Sequence, residues 1–221
     1  MRLFTVSLAA TVAGAEALKI MTLGDSITGE GSGCWQAYLW EKLKANGLVD
    51  SKKIEFVGTM PAEQCGFRYD GEHEGHAGTL VTEIAGKDLL PSWLSTSKPD
   101  VVLMHLGTGD IILDIPINDI LEAYTVILEQ MRKSNVNIVL LVAQMLPLNP
   151  SGCATCNARI RMLNDRIVSW ASEHSKGESP IYVVDQYDGF PIGSQHDGVH
   201  PDKFGGQIMA IKWYHALREY I

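Results

Sequence analysis

Three features of the chain predict an α/β fold with one parallel sheet covered by helices on both faces. Apolar runs of strand length alternate with stretches of helical periodicity from residue 18 to the end of the sequence. The runs PDVVLMHLG and VNIVLLVAQML are hydrophobic without alternation, as strands buried on both faces are. The 221 residues contain no internal repeat, low-complexity tract or linker, so one domain accommodates the whole set.

Taken in order, Leu18–Gly24 reads as the first strand and Trp35–Ala45 as a helix, with Trp35, Tyr38, Leu39 and Leu43 at helical spacing and Asn46-Gly47 as its stop. Lys53–Gly58 is a second strand, followed by a loop from Thr59 to Gly78 and a helix over Leu80–Leu94. The run at 99–107 is the third strand, followed by a helix over Ile117–Lys133 and the fourth strand at 136–146. A loop holding Pro147 and Pro150 leads to a helix over Asn157–His174 and a fifth strand, PIYVVDQ. Pro201 is placed in the first turn of a last helix ending near Tyr220. In such sheets reactive groups sit on loops beyond the carboxyl ends of the strands. Candidate functional residues should therefore follow strands.

Ahead of the first strand, one Arg precedes an apolar stretch from Leu3 to Ala13 and small-residue sites at Ala13-Gly14-Ala15 and Ala15-Glu16-Ala17. This is a secretory leader pattern, too short to span a membrane, predicting a leader over 1–17, a mature domain over 18–221 and a secreted, extracellular protein. The alternative is a buried first strand. Net charge is −8, with no cluster of Lys or Arg, which argues against nucleic acid and membrane as partners. We expect a monomer without cofactor or metal. Cys34, Cys65, Cys153 and Cys156 form an even set, as two disulfides require, and their neighbourhood favours Cys34–Cys65 and Cys153–Cys156 among three pairings. A thiol-redox role for Cys153-x-x-Cys156 is the weaker reading, because no strand-Trp-Cys context precedes it, and zinc is weaker still.

Three loops follow strands and carry polar groups. LGDSITGEG places Ser26 after the first strand, Gly107-Thr108-Gly109-Asp110 follows the third, and SQHDGVHPDKFGG follows the fifth. Gly-Asp-Ser alone is ordinary turn chemistry, and Asp-x-x-His alone is an ordinary Asp-Gly turn or helix cap. Together they supply more. An aspartate three residues before a histidine in a tight turn can hold the imidazole, which then serves as base for a serine brought from another strand end. Asp197, His200 and Ser26 are that set.

GDSIT near the start of the mature chain with DGVHPD near its end resembles the SGNH, or GDSL-like, hydrolase superfamily. RYDGEHEGHAGTLVTEI and VVLMHLGTGDI resemble the second and third blocks of carbohydrate esterase family three, the small secreted acetyl xylan esterases. The resemblance implies a flavodoxin-like three-layer α/β/α sandwich with a five-stranded sheet. It also implies metal-independent deacetylation of plant cell-wall polysaccharide by Ser26 as nucleophile, His200 as base and Asp197 as acid. The N–H groups of Ser26 and Gly78 would be oxyanion donors. The superfamily's third block ends Gly-x-Asn-Asp, whereas this chain has Gly109 where that asparagine donor stands. Loss of one such donor costs about a hundred- to thousandfold in kcat, so a weakened enzyme is expected, with the Gly109 N–H or Thr108 as partial substitutes.

Other candidates read structurally. His105 lies in an apolar strand and suits a packed, hydrogen-bonded core position better than a ligand role, and Asp110 suits a brace for its loop. His73 and His76 are better explained by loop polarity than by metal. Trp35, Tyr38 and Trp40 suit a core helix face, and the sugar-stacking candidates are Phe67 and Tyr69 on a loop. No Gly-x-Gly-x-x-Gly phosphate cradle follows the first strand. The competing functions are a non-catalytic carbohydrate-binding protein on the same fold, motivated by Gly109, and a short-chain lipid esterase or thioesterase.

Overall fold

The computed structural model describes residues 16–30 and 32–221, so the expected leader over 1–17 lies outside the described residues except for its last two positions. Five strands fall where the sequence places them: β1 (Leu18–Gly24), β2 (Ile54–Val57), β4 (Val101–His105), β5 (Val139–Gln144) and β6 (Ile181–Asp185). All pair in parallel in the order β2-β1-β4-β5-β6. β1 and β4 are neighbours although β2 lies between them in sequence. The order therefore reverses at that pair, and a crevice opens beyond their carboxyl ends. Every residue of β4 is buried, as its unbroken hydrophobicity requires.

The helices form the two outer layers. α2 (Trp35–Ala45) packs on α9 (Lys203–Tyr220), with Trp35 stacked on Trp213 at 5.8 Å between ring centroids. α7 (Ile117–Ser134) packs against α4 (Val81–Gly86) and α5 (Leu90–Ser97), and α8 (Cys156–His174) lies beside it. Ile120, Tyr124, Ile127 and Met131 make the inward stripe of α7. The short helices α1 (Ser26–Gly29), α3 (Leu48–Lys52) and α6 (Thr108–Ile112) complete the set. Disulfides join Cys34 to Cys65 and Cys153 to Cys156.

The structure departs from the sequence reading in four places. The single helix over Leu80–Leu94 is two, because a proline ring at Pro91 clashes with the carbonyl one turn back; the chain breaks at Asp88 (φ 53°) and restarts with Pro91 in its first turn. The loop over 59–78 contains a sixth strand, β3 (Glu74–Gly75), paired with Leu23 and Gly24. The Gly107–Asp110 loop opens α6. Pro201 precedes the last helix instead of opening it. Asp202 is the N-cap and accepts the Gly205 N–H at 2.8 Å, while Pro201 bridges to Gln195.

Gly206 shows how closely α9 approaches the chain that enters α2. A Cβ there would sit 1.7 Å from the Gly33 carbonyl oxygen, whereas one on Gly86 would meet nothing within 4 Å. Helix propensity favours alanine at both sites by up to about 1 kcal/mol, but backbone overlap dominates at Gly206. We expect Gly206→Ala to lose about 3 kcal/mol and Gly86→Ala to gain about 0.5 kcal/mol in urea unfolding. Equal midpoints for the two variants would contradict this packing.

Candidate active site

At the end of β1 the chain turns into α1, and the capping work there belongs to Asp25, whose Oδ1 accepts the Ile27 N–H at 3.0 Å. Ser26 is therefore not spent as a cap. Its hydroxyl lies 2.8 Å from His200 Nε2. Gly24 must lack a side chain, since a Cβ would fall 2.0 Å from Thr28 Oγ1.

His200 is aimed by the turn that starts at Asp197. One carboxylate oxygen accepts the N–H groups of Val199 (2.9 Å) and His200 (2.8 Å), and the other meets His200 Nδ1 at 2.6 Å. With the proton on Nδ1, the ring donates to Asp197 and offers Nε2 to the Ser26 hydroxyl. Burial pushes the Asp197 carboxyl up, but the bonds from the His200 N–H and ring and the Val199 N–H outweigh it and hold the group well below the usual carboxylate range. Gly198 makes the turn possible with φ 79°, and a Cβ there would overlap the Asn149 carbonyl oxygen at 2.1 Å. The chain after β5 thus braces the turn, helped by Gln195 Nε2, which donates to the carbonyls of Pro147 and Val199. The exposed His196 ring stacks on His200, a neighbour that sequence spacing did not single out. Three side chains from opposite ends of the sequence thus form one hydrogen-bonded relay.

Of the other expected oxyanion residues, Gly78 follows β3 and Gly109 follows β4. His76 donates its N–H to the Gly24 carbonyl, which carries the chain past Ser26 into an exposed turn with Gly78 at φ 73°. Gly109 is the second residue of α6, and the buried Asp110 carboxylate accepts from Val81 N, Thr82 N and Thr82 Oγ1. Asp110 thereby ties α6 to the start of α4 and is a brace. A Cβ on Gly109 would meet Leu80 Cδ2 at 2.8 Å, so a side chain there would require the end of Leu80 to shift.

The model for the GDSL-like Lipase/Acylhydrolase family matches residues 22–208. The chain belongs to this family. It is similar to the crystal structure of a serine-to-alanine acetyl esterase mutant with acetate ion, at 31% identity and TM-score 0.82 over 92% of this chain and 97% of that one. It is similar also to a carbohydrate esterase family 3 from Talaromyces cellulolyticus, at 32% identity and TM-score 0.82 with the same coverage. A Clostridium thermocellum family 3 carbohydrate esterase matches at 26% identity and TM-score 0.76, over 93% of this chain and 99% of that one. No curated protein matches the chain significantly. Fold and family together make this GDSL-like chain an esterase of the SGNH type.

Beneath the relay of this GDSL-like esterase, several polar groups are buried more deeply than their sequence context suggested. His73 is 1% exposed and its Nδ1 accepts the Gly75 N–H, so it is a packed residue and not loop polarity. Glu74 is fully buried, satisfied by Thr59 N, Thr59 Oγ1 and His76 Nε2. His105 is also fully buried, neither ring nitrogen has a protein partner among the described residues, and desolvation brings its pKa down to about 4. The described grouping with ligand atoms near enough for a metal ion is His196, Asp197 and His200, within 4.8 Å, and two of these belong to the relay.

Asp25 stands out. Desolvation pushes its carboxyl up to about 6 against the Ile27 N–H and the nearby Thr108 and His200, which favour the charged form. The Thr108 hydroxyl is close, yet among the described residues neither it nor Asp25 Oδ2 has a partner of normal hydrogen-bond geometry. Since the folded value lies above the unfolded one, neutral Asp25 stabilises the fold fully at acid pH, and the contribution is lost as pH rises through about 6. The shift corresponds to about 3 kcal/mol. Asp25→Asn keeps a cap and loses the titration. The stability of this variant relative to wild type should therefore improve by about 3 kcal/mol between roughly pH 3.5 and pH 7. A difference that stays flat across that range in urea unfolding would show that the carboxyl is not desolvated.

Proposed function

We propose that this esterase removes acetyl groups from a plant cell-wall polysaccharide outside the cell, with Ser26, His200 and Asp197 as its catalytic residues. The observation that carries the reading is the unbroken relay from Ser26 Oγ through the His200 ring to Asp197. In this reading Ser26 Oγ bonds to the acetyl carbonyl carbon while its proton passes to His200 Nε2. Asp197 stabilises the imidazolium and keeps its own charge, consistent with the low carboxyl pKa. The negative oxygen is met by the N–H groups of Ser26, Gly78 and Gly109. Collapse breaks the ester C–O bond and His200 returns the proton to the departing sugar oxygen. Water, deprotonated by the same ring, then bonds to the acyl carbon, and acetate leaves as the C–Oγ bond breaks and His200 hands the proton back to Ser26.

The carbohydrate class is drawn from family 3 carbohydrate esterases of similar sequence and structure. Secretion is supported by the leader pattern over 1–17 and by two disulfides, which persist in oxidising compartments. Gly109 predicts slow turnover, because peptide N–H groups alone must stabilise charge that a side-chain amide would share.

The test is kcat/KM on p-nitrophenyl acetate and on acetylated xylan for wild type, Ser26→Ala and Gly109→Asn. Ser26→Ala should fall by at least about a thousandfold on both esters. Gly109→Asn should rise by about tenfold, with a larger gain when Leu80→Ala clears the methyl from the added side chain. Wild type no faster than Ser26→Ala, with no rescue by Gly109→Asn, would leave a carbohydrate-binding protein as the better reading.

A further inference from the structure

We infer that the loop over residues 62–69 is a sugar subsite, seating a pyranose unit of the polymer next to the acetylated one; this rests on the carbohydrate reading above. The loop curves around a cavity of about 430 Å³ lined by Glu63, Gln64, Phe67, Arg68 and Tyr69, within the size range of small-ligand pockets. Phe67 is 39% exposed. Its ring lies between Tyr38 and Tyr69, at centroid distances of 6.0 and 6.1 Å. Tyr69 is fixed in turn, since its hydroxyl accepts the Glu63 N–H at 3.1 Å and Glu63 faces His73 at 3.6 Å. An aromatic face is thus presented to solvent with little freedom left to lose on binding.

The groups around it suit a pyranose. The C–H face of the sugar packs on an aromatic ring, while planar amide and guanidinium groups pair with ring hydroxyls. Gln64 and Arg68 are exposed on either side of Phe67 and carry those groups. A long acyl chain would want an apolar slot instead.

The loop also stands on the right edge of the molecule. Cys65 is bonded to Cys34, and the neighbouring Gly33 packs against Asp202 and Gly206, just past His200. Glu63 is close enough to Glu30, the C-cap of α1, to feel its charge. The subsite therefore flanks the turn that Ser26 opens, and the disulfide fixes the loop to it.

Two measurements on the full chain test this. The first is the ratio of kcat/KM on an acetylated xylo-oligosaccharide to that on p-nitrophenyl acetate. Phe67→Ala should lower the ratio about tenfold, chiefly through KM for the oligosaccharide, and Phe67→Trp should keep it within about twofold. The second is calorimetric titration of unacetylated xylo-oligosaccharide into Ser26→Ala and into Ser26→Ala/Phe67→Ala, where the second variant should bind about tenfold more weakly. An unchanged ratio together with equal affinities would overturn the subsite. Absence of ester turnover in wild type would overturn the esterase reading alone, and the titration would still decide the subsite.

Discussion

The site depends on how closely three loops from separate strand ends approach one another. Gly29 lies against Gly75, where a Cβ on either would fall within 2.5 Å of the other's backbone. Gly33 is pressed between Asp202 and Gly206, and Gly198 against Asn149 and Pro150. These contacts bind the Ser26 turn to the second loop, the α2 entry to the last helix, and the Asp197 turn to the chain after β5. Side chains at these positions would push the loops apart by more than a hydrogen bond tolerates. The 2.8 Å between Ser26 and His200 is therefore set by backbone contact at some distance from either residue.

Within that frame, two aspartates one loop apart face opposite environments. Asp197 is part exposed and receives three hydrogen bonds, which keep it charged. Asp25 is buried with one oxygen unpartnered, which draws it toward neutrality near pH 6. Charging Asp25 costs stability at neutral pH, and the sheet absorbs that cost because β1 and β4 are buried beside it. A polar group held against its preference directly behind Ser26 is the kind of local conflict found at functional sites and seldom elsewhere.

The sequence made much of this legible, for physical reasons that differ by residue. Unalternated runs such as VVLMH predict strands covered on both faces, and strand-helix alternation then dictates parallel order and a crevice at the carboxyl ends. Asp197 and His200 are readable because their geometry is local, a three-residue turn closed by Gly198. Pro91 carried the break between α4 and α5 in plain view, but apolar periodicity across 80–94 masked it. The burial of His73 and Glu74 was not legible, since it depends on pairing a two-residue strand with the distant end of β1. Nor was the Leu80 methyl beside Gly109. Neighbours across a fold leave no periodic mark.

The Leu80 methyl bears on what kind of protein this is. A site that had abandoned chemistry for binding would have no reason to keep an imidazole held between Asp197 and the Ser26 hydroxyl, in a turn fixed by two further bonds from backbone N–H groups to Asp197. Ground-state recognition of an ester does not need this relay, because it acts only when charge develops. In the proposed reading glycine at 109 takes away one donor, and a Leu80 methyl lies 2.8 Å from where a Cβ would stand, while the relay is undisturbed. In that reading the proton-transfer relay is complete, and the oxyanion is left to peptide N–H groups.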